Sequence, residues 1–500
     1  MAEALEEVSG RLKYVLLLLT LIKANNHWSR YLINYLYAVS SDDEYYSLSA
    51  ATGITEEQYG LLSGFGFSIS YVLWGLVMGY AADLSNRVAI IALGLIIWSG
   101  ANALMAAARG YRCLLAARAL LGFGAAFSNI ASLSLIADVC PRARLAEANG
   151  VYAIGLYAGS SLGSLSLVMA ERVGWRNTCY AAALSGLLLA VTLFATVSEP
   201  RHLAPAAKPH ADLEAAPPSS STLLLPPPPP PPPPLTVAQA ARAILAARPQ
   251  LVLAITAAAA AVHAAGYVTN IYLPVFYAAR FAQDAALYAV LNATAKALCG
   301  AASAYVGGRA ADAWRASGQP RADLLIPAAG AAGAAPLLAL ALYAPSFAPS
   351  VAALALLYLL AECWSGPTMG ALARALPPAA RGTGLAAYTL ASTVAGSAAV
   401  WAVGRTVGDS SSSGGADVAV LARAVAVGGC GAYAACAALY CGAALLVRAD
   451  GYAEIPGDDA ARNDGVAVRP SAARYQCAPS PPQRESQRAA GARLRSERGG

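Results

Sequence analysis

The sequence predicts an all-α membrane protein: twelve transmembrane helices in two pseudo-symmetric six-helix bundles. Three observations predict it. The 500 residues are 57% hydrophobic and only 12% charged, where an ordinary soluble chain is about a quarter charged. Apolar runs long enough to span a bilayer, about 20 residues each, recur twelve times. Turn signals also repeat at corresponding places in the two groups of six runs, which marks an internal duplication.

The runs extend over 14–39, 59–81, 88–108, 112–137, 148–170 and 177–197, then 250–277, 285–307, 323–344, 349–372, 383–404 and 422–447. Gly79, Asp83 and Arg87 close the second run, and Gly308, Asp312 and Arg315 close the eighth in nearly the same way. The turn carboxylate suits the N-terminus of an adjacent helix, and the arginine suits a lipid phosphate or a neighbouring acid. These four charged residues are gating candidates. After the fourth run come Pro141, Arg144 and Tyr152; after the tenth come Pro378, Arg381 and Tyr388.

The domains follow: bundles over 1–198 and 249–448, a cytosolic linker over 199–248 and a disordered cytosolic tail over 449–500. Nine consecutive prolines, Pro226 to Pro234, make the linker a stiff extended spacer that packs no core. The tail is polar, rich in arginine and without periodicity. Loop charge sets the orientation. Asp42, Asp43, Glu44, Glu56 and Glu57 stand in the segment 40–58 with no Lys or Arg, while alternate loops carry Arg87, Arg142, Arg144, Arg201, Lys208, Arg309, Arg315, Arg374 and Arg381. The basic loops, and both termini with them, belong in the cytosol. Arg109, Arg112, Arg172 and Arg176 break the pattern.

Several function classes are excluded. The nine cysteines show no metal-ligand spacing, no phosphate loop is present, and a net charge of +6 partly carried by the tail does not suit nucleic acid. The first run is full length and studded with polar groups, unlike a cleavable signal peptide. We expect no enzyme, cofactor or metal.

The first run carries the chemistry. Lys23, His27, Arg30 and Asn34 fall in steps of four, three and four, on one helix face, with Asn26 nearby. Leu17, Leu21, Leu32 and Leu36 are left to meet lipid or other helices. An ionised side chain near the bilayer centre costs at least ~2.5 kcal/mol, so the stripe must face protein or a wet cavity. A rise of 1.5 Å per residue puts Arg30 ~12 Å from the outer end of the first helix and Arg118 ~9 Å from the outer start of the fourth. Two guanidiniums at one level make a clamp for a carboxylate or phosphate; the bland reading is that Arg118 braces the bundle.

By the same arithmetic Lys296 is ~16 Å into the eighth helix and Glu362 ~18 Å into the tenth. Opposite charges at one depth suggest a pair that substrate or a proton could break. His263 is a second proton candidate. Asn129, Tyr152, Asn270 and Trp364, with Asn26, His27 and Asn34, are candidate substrate contacts. Gly122, Gly124, Gly155, Gly159 and Gly163 fit close helix packing.

Two halves, the paired Gly-x-x-x-Asp turns and Arg118 within Arg-Ala-Leu-Leu-Gly-Phe-Gly resemble the major facilitator superfamily. Within it, Asn26-His27-Trp28-Ser29-Arg30, Leu135-Ile136-Ala137-Asp138 and Gly159-Ser160-Ser161-Leu162-Gly163 resemble the Spinster-like branch. The resemblance implies alternating access around a central site, and transport of lysolipids and sphingoid phosphates. Where the branch carries acids, this chain has Ser29 and Ala125, so the branch's proton coupling does not carry over. The expected function is secondary active or facilitated transport of a small organic anion or amphiphile, with proton coupling as one mode. The competing class is a receptor or scaffold that keeps the fold and recruits partners through its linker and tail.

Overall fold

The computed structural model describes residues 2–140, 145–199, 237–377, 380–411 and 418–447, and every regular element among them is helical. Most of the proline linker, the tail, and Pro141, Arg144 and Pro378 lie outside the described residues.

A long first helix, α1 (Ala2–Tyr37), leads to two short ones. Ser47 caps α2 (Leu48–Thr52), which Gly53 ends in the left-handed region at φ 62°. Thr55 and Gln58 form a reciprocal capping box on α3 (Glu56–Ser63). The chain breaks at Gly64 before α4 (Phe65–Leu84), where a Cβ would meet the Ser397 carbonyl oxygen at 3.0 Å. Then follow α5 (Arg87–Ala106), α6 (Tyr111–Val139), α7 (Leu145–Val173) and α8 (Trp175–Thr196). Past the linker come α9 (Val237–Ala247) and α10 (Pro249–Arg280).

The next helix has two parts, α11 (Ala285–Ala295) and α12 (Ala301–Ala316), joined by a widened π-helical turn over Lys296–Gly300. After α13 (Ala322–Tyr343), α14 (Phe347–Ala361) and α15 (Ser365–Ala375) are joined by a tight 3-10 turn, Glu362–Trp364. The chain finishes with α16 (Arg381–Ser411), α17 (Val418–Val425) and α18 (Gly431–Leu446), the last two linked by a second π-helical turn.

Ten helices among the described residues are long and apolar enough to cross a membrane, and they coincide with the last ten predicted runs. The first run lies within α1, whose polar stripe lowers its hydropathy; the second is divided at Gly64. Leu184, Leu188, Val191 and Phe194 leave an apolar face of α8 uncovered, as contact with lipid requires. On α1, Leu17 and Leu21 are exposed whereas Leu32 and Leu36 are fully buried.

Glycine permits close helix contact. A Cβ on Gly159 of α7 would lie 2.3 Å from the Ala24 carbonyl oxygen and 2.7 Å from the His27 Cβ, so α1 and α7 meet backbone to backbone. The apolar core is divided. One cluster gathers Val15, Leu19, Val88 and Leu193 of α1, α5 and α8. The other joins the C-terminal half of α1 and α3 to the later helices through Leu36, Tyr59, Tyr272 and Val400.

That second cluster seals one end of the molecule, where α3 packs along α16. The Tyr59 hydroxyl donates to the Ile271 carbonyl (2.8 Å), the Tyr272 hydroxyl to the Val400 carbonyl (3.0 Å), and Tyr37 stacks on Tyr59 at 3.9 Å.

Candidate functional site

Arg30 projects from the striped face of α1 into a narrow cavity of about 10 Å³ shared with Tyr31, Asn34, Ser63, Arg118, Tyr267, Asn270 and Ile271. Its Nη2 donates to the Tyr267 hydroxyl at 2.5 Å, and its guanidinium lies 4.8 Å from the Phe67 ring centre and 5.2 Å from that of Tyr267. Cation–π contact of this kind offsets part of the cost of burying the charge. Arg30 forms no ion pair among the described residues. A half-buried guanidinium held by a phenol and ring faces is poised for an anion.

Arg118 sits at the same level but spends its donors differently. Its Nη1 donates to the Arg30 carbonyl (3.0 Å) and its Nε to the Leu62 carbonyl (3.2 Å), while its guanidinium also faces Phe67. It braces α1 and α3 from α6 and still forms part of the cavity wall. Asn34 is buried in the same wall, with its Oδ1 lacking a hydrogen-bond partner.

Along the stripe, Lys23 donates to the Asn129 Oδ1 at 2.7 Å and lies over the Tyr152 ring. His27 is buried, its Nδ1 without a partner. Asn26 is half-buried and lines neither of the two polar cavities.

A second cavity, of about 60 Å³, shares Tyr31 and Asn270 with the first and adds Leu156, Tyr157, Ser160, Lys296, Gly300, Tyr358 and Glu362. Lys296 and Glu362 therefore face one space, from the π-helical turn and the 3-10 turn respectively. They do not touch as an ion pair. The Lys296 ammonium donates to the Asn270 Oδ1 (2.7 Å) and the Tyr35 hydroxyl (3.0 Å), and the Glu362 carboxylate makes no hydrogen bond among the described residues. Tyr35 belongs to a buried network: Asn292 donates to it and to Ser164, and accepts from Tyr358. These contacts join α1 and α7 to α11 and α14.

His263 lies beside the first cavity, its Nδ1 2.9 Å from the Ala259 carbonyl and its ring 4.9 Å from that of Trp364. Between α4 and α16, Ile69, Val72, Leu73, Leu390, Thr393 and Val394 border a slot.

Far from the cavities, Arg87 is fully buried. It pairs with Asp138 at 2.6 Å and with Glu199, and its backbone N–H donates to Glu199 at 2.7 Å. Arg315 meets Asp312 (2.5 Å) and Asp323 (3.0 Å), and Arg374 also meets Asp323. The Asp83 side chain lies outside the described residues. Residues that sequence reasoning did not reach are Tyr267 as the acceptor for Arg30, Asn292 as a network hub, and Glu199. No cluster of three or more His, Cys, Asp or Glu side chains fit for a metal ion occurs among the described residues.

Comparison with known proteins bears on this arrangement. Residues 20–400 match the family model of the Major Facilitator Superfamily. A curated relative, an uncharacterized MFS-type transporter YbcL of Bacillus subtilis (strain 168), is 26% identical over 182 residues, which is 35% of this chain and 46% of that protein; the match thus spans under half of its length. Among solved structures, a bacterial homolog of the human lysosomal transporter Spinster, inward-facing and unoccupied, superposes with a TM-score of 0.65 and 22% identity, covering 87% of this chain and 95% of that one. The nucleoside transporter NupG gives 0.64 and 12%, covering 86% and 99%. These likenesses are of fold.

Proposed function

The chain belongs to the major facilitator superfamily, and on that premise we propose that it carries a small organic anion or amphiphile across a membrane by alternating access and catalyses no reaction. The observation that carries the reading is Arg30: a guanidinium on a cavity wall, held by Tyr267 and aromatic faces, with no carboxylate beside it among the described residues. A solute acid group supplies the missing partner, with Arg118, Asn34 and Asn270 around it. Support for an amphiphile comes from the apolar slot between α4 and α16. Its α4 wall adjoins Phe67, and on α16 Gly396 touches Tyr267, so the slot lies just behind the Arg30 cavity. A chain attached to the bound acid fits there.

In this reading the twelve helices form two halves, 1–198 and 249–448, that rock about the shared cavities. The end sealed by α3 and α16 faces outward, and the termini, linker and tail lie in the cytosol. The sequence likeness of residues 26–30 to the Spinster-like branch, together with the fold, supports a lysolipid or sphingoid-type solute. Lys296 and Glu362 are the switching pair: solute or a proton entering their cavity redistributes the contacts of Lys296, and so changes what joins α1 to α11. His263 is a second proton candidate, and the turns holding Asp83, Arg87, Asp312 and Arg315 are gates.

The test compares vesicles containing the wild type and Arg30→Ala for accumulated organic acids and lysolipids. Loss of an acidic species in the variant is expected; an unchanged profile overturns the reading. A pH gradient imposed on proteoliposomes separates proton-coupled transport from facilitated transport.

A further inference from the structure

The sealed end contains an acid that the transport site does not use. Glu56 opens α3, just before the second apolar run, and α3 packs against α16. The fit is close: a Cβ on Gly404 would meet the Glu56 carbonyl oxygen at 2.8 Å, and one on Gly408 would touch the Glu57 nitrogen and the Glu56 Cβ at 3.7 and 4.0 Å. Within this seam the Glu56 Oε2 is enclosed and has no hydrogen-bond partner.

No cation answers it among the described residues. The Tyr37 hydroxyl of α1 hydrogen-bonds the carboxyl, and the hydroxyls of Tyr59 of α3 and Tyr272 of α10 face it. Glu57, on the same helix, is exposed. Arg405 and Asp409 at the end of α16 lie beside each other at 4.0 Å, with Arg405 over the Trp401 ring. Arg118 of α6 spends its donors on carbonyls.

We infer that Glu56 is a proton-binding site that latches the α3–α16 seam. An ionised carboxylate with an enclosed, unanswered oxygen is costly, whereas a neutral carboxyl is tolerated. Burial pushes the Glu56 carboxyl up from the ordinary range and outweighs the Tyr37 hydrogen bond, which pulls it down. The sealed form therefore binds the proton more tightly than a form in which Glu56 reaches water. By linkage, the seam is firmest at low pH and loosens as pH rises through the pKa of the sealed form. On opening, Glu56 meets the aqueous phase directly, since it precedes the apolar run.

The experiment is hydrogen exchange of the full chain in nanodiscs between pH 5 and 8, corrected for intrinsic rates, following segments 55–64 and 396–409. In the wild type, protection falls as pH rises, by up to about tenfold for each unit separating the two pKa values. E56Q, permanently neutral, stays protected throughout, and E56D, which keeps an acid in place, retains a step. Exchange in α13 serves as the folding control for both variants. A wild type without the step, an E56Q variant that keeps it, or an E56D variant that loses it with α13 intact overturns the assignment.

Discussion

Arg87 and Asp323 stand at the heads of α5 and α13 with opposite charge, and each is bound to a residue 51 positions further on: Arg87 to Asp138, Asp323 to Arg374. The partners end α6 and α15, and both precede a proline by three residues, Pro141 and Pro377. A Coulomb pair is indifferent to which member is positive. The two halves therefore keep the same tie with its sign reversed.

Removing the buried member of either tie leaves its partners uncompensated. Arg87→Ala is expected to cost about 3–5 kcal/mol, because Glu199 stays buried without its cation. Asp323→Ala acts in the same direction. Arg405→Ala, in an exposed pair, leaves the melting temperature unchanged. Thermal melts of the three purified variants check the ranking.

Helix contact at Gly159 gives a sharper steric test. Gly159→Ala drives a methyl group into the Ala24 backbone and should destabilise by about 1–3 kcal/mol. Gly150, on the same helix with nothing within 4 Å of its built Cβ, is the control. Its replacement by alanine is expected to stabilise by about 0.4–1 kcal/mol. Equal melting temperatures for the two variants would refute the packing account.

The seal between α3 and α16 depends on two phenols. Tyr59→Phe deletes the hydrogen bond that ties α3 to α10, and Tyr272→Phe the one that ties α10 to α16, each worth about 0.5–1.5 kcal/mol. Each should raise exchange in segment 55–64 several-fold while leaving that in α5 alone. No change in that segment would show that the hydroxyls do not hold the seal.

Charge alone does not explain the preference for arginine at the cavity. Arg30→Lys keeps the positive charge but loses the planar fork that reaches Tyr267 and lies against Phe67. We expect apparent solute affinity to drop by about tenfold or more, the scale of one charge-assisted hydrogen bond, with the melting temperature nearly unchanged. Uptake titrations in proteoliposomes provide the measurement.

Much of this was legible in the chain. The stripe of Lys23, His27, Arg30 and Asn34 does line protein interior, and the depth arithmetic that set Arg30 beside Arg118 agrees with the 3.0 Å bond between them. Helical periodicity fixes which face a residue occupies. It does not fix which neighbour that face meets, so Tyr267 remained one tyrosine among many, and the acceptors of Lys296 could not be chosen in advance. Glu199 was read as the start of the linker, yet it is 4% exposed and locked to α5. A linker boundary drawn from composition cannot register a single charged residue folding back.

The π-helical turn at Lys296–Gly300 takes up one residue more than a regular helix needs. Its five residues cover nearly the rotation that four cover in a regular helix at about 100° each. The surplus is spent in width, so Tyr288 and Asn292 keep their heading while Gly307 keeps its seat against Cys363. Deleting Ala297 would leave both flanks in register and remove only the bulge that carries Lys296.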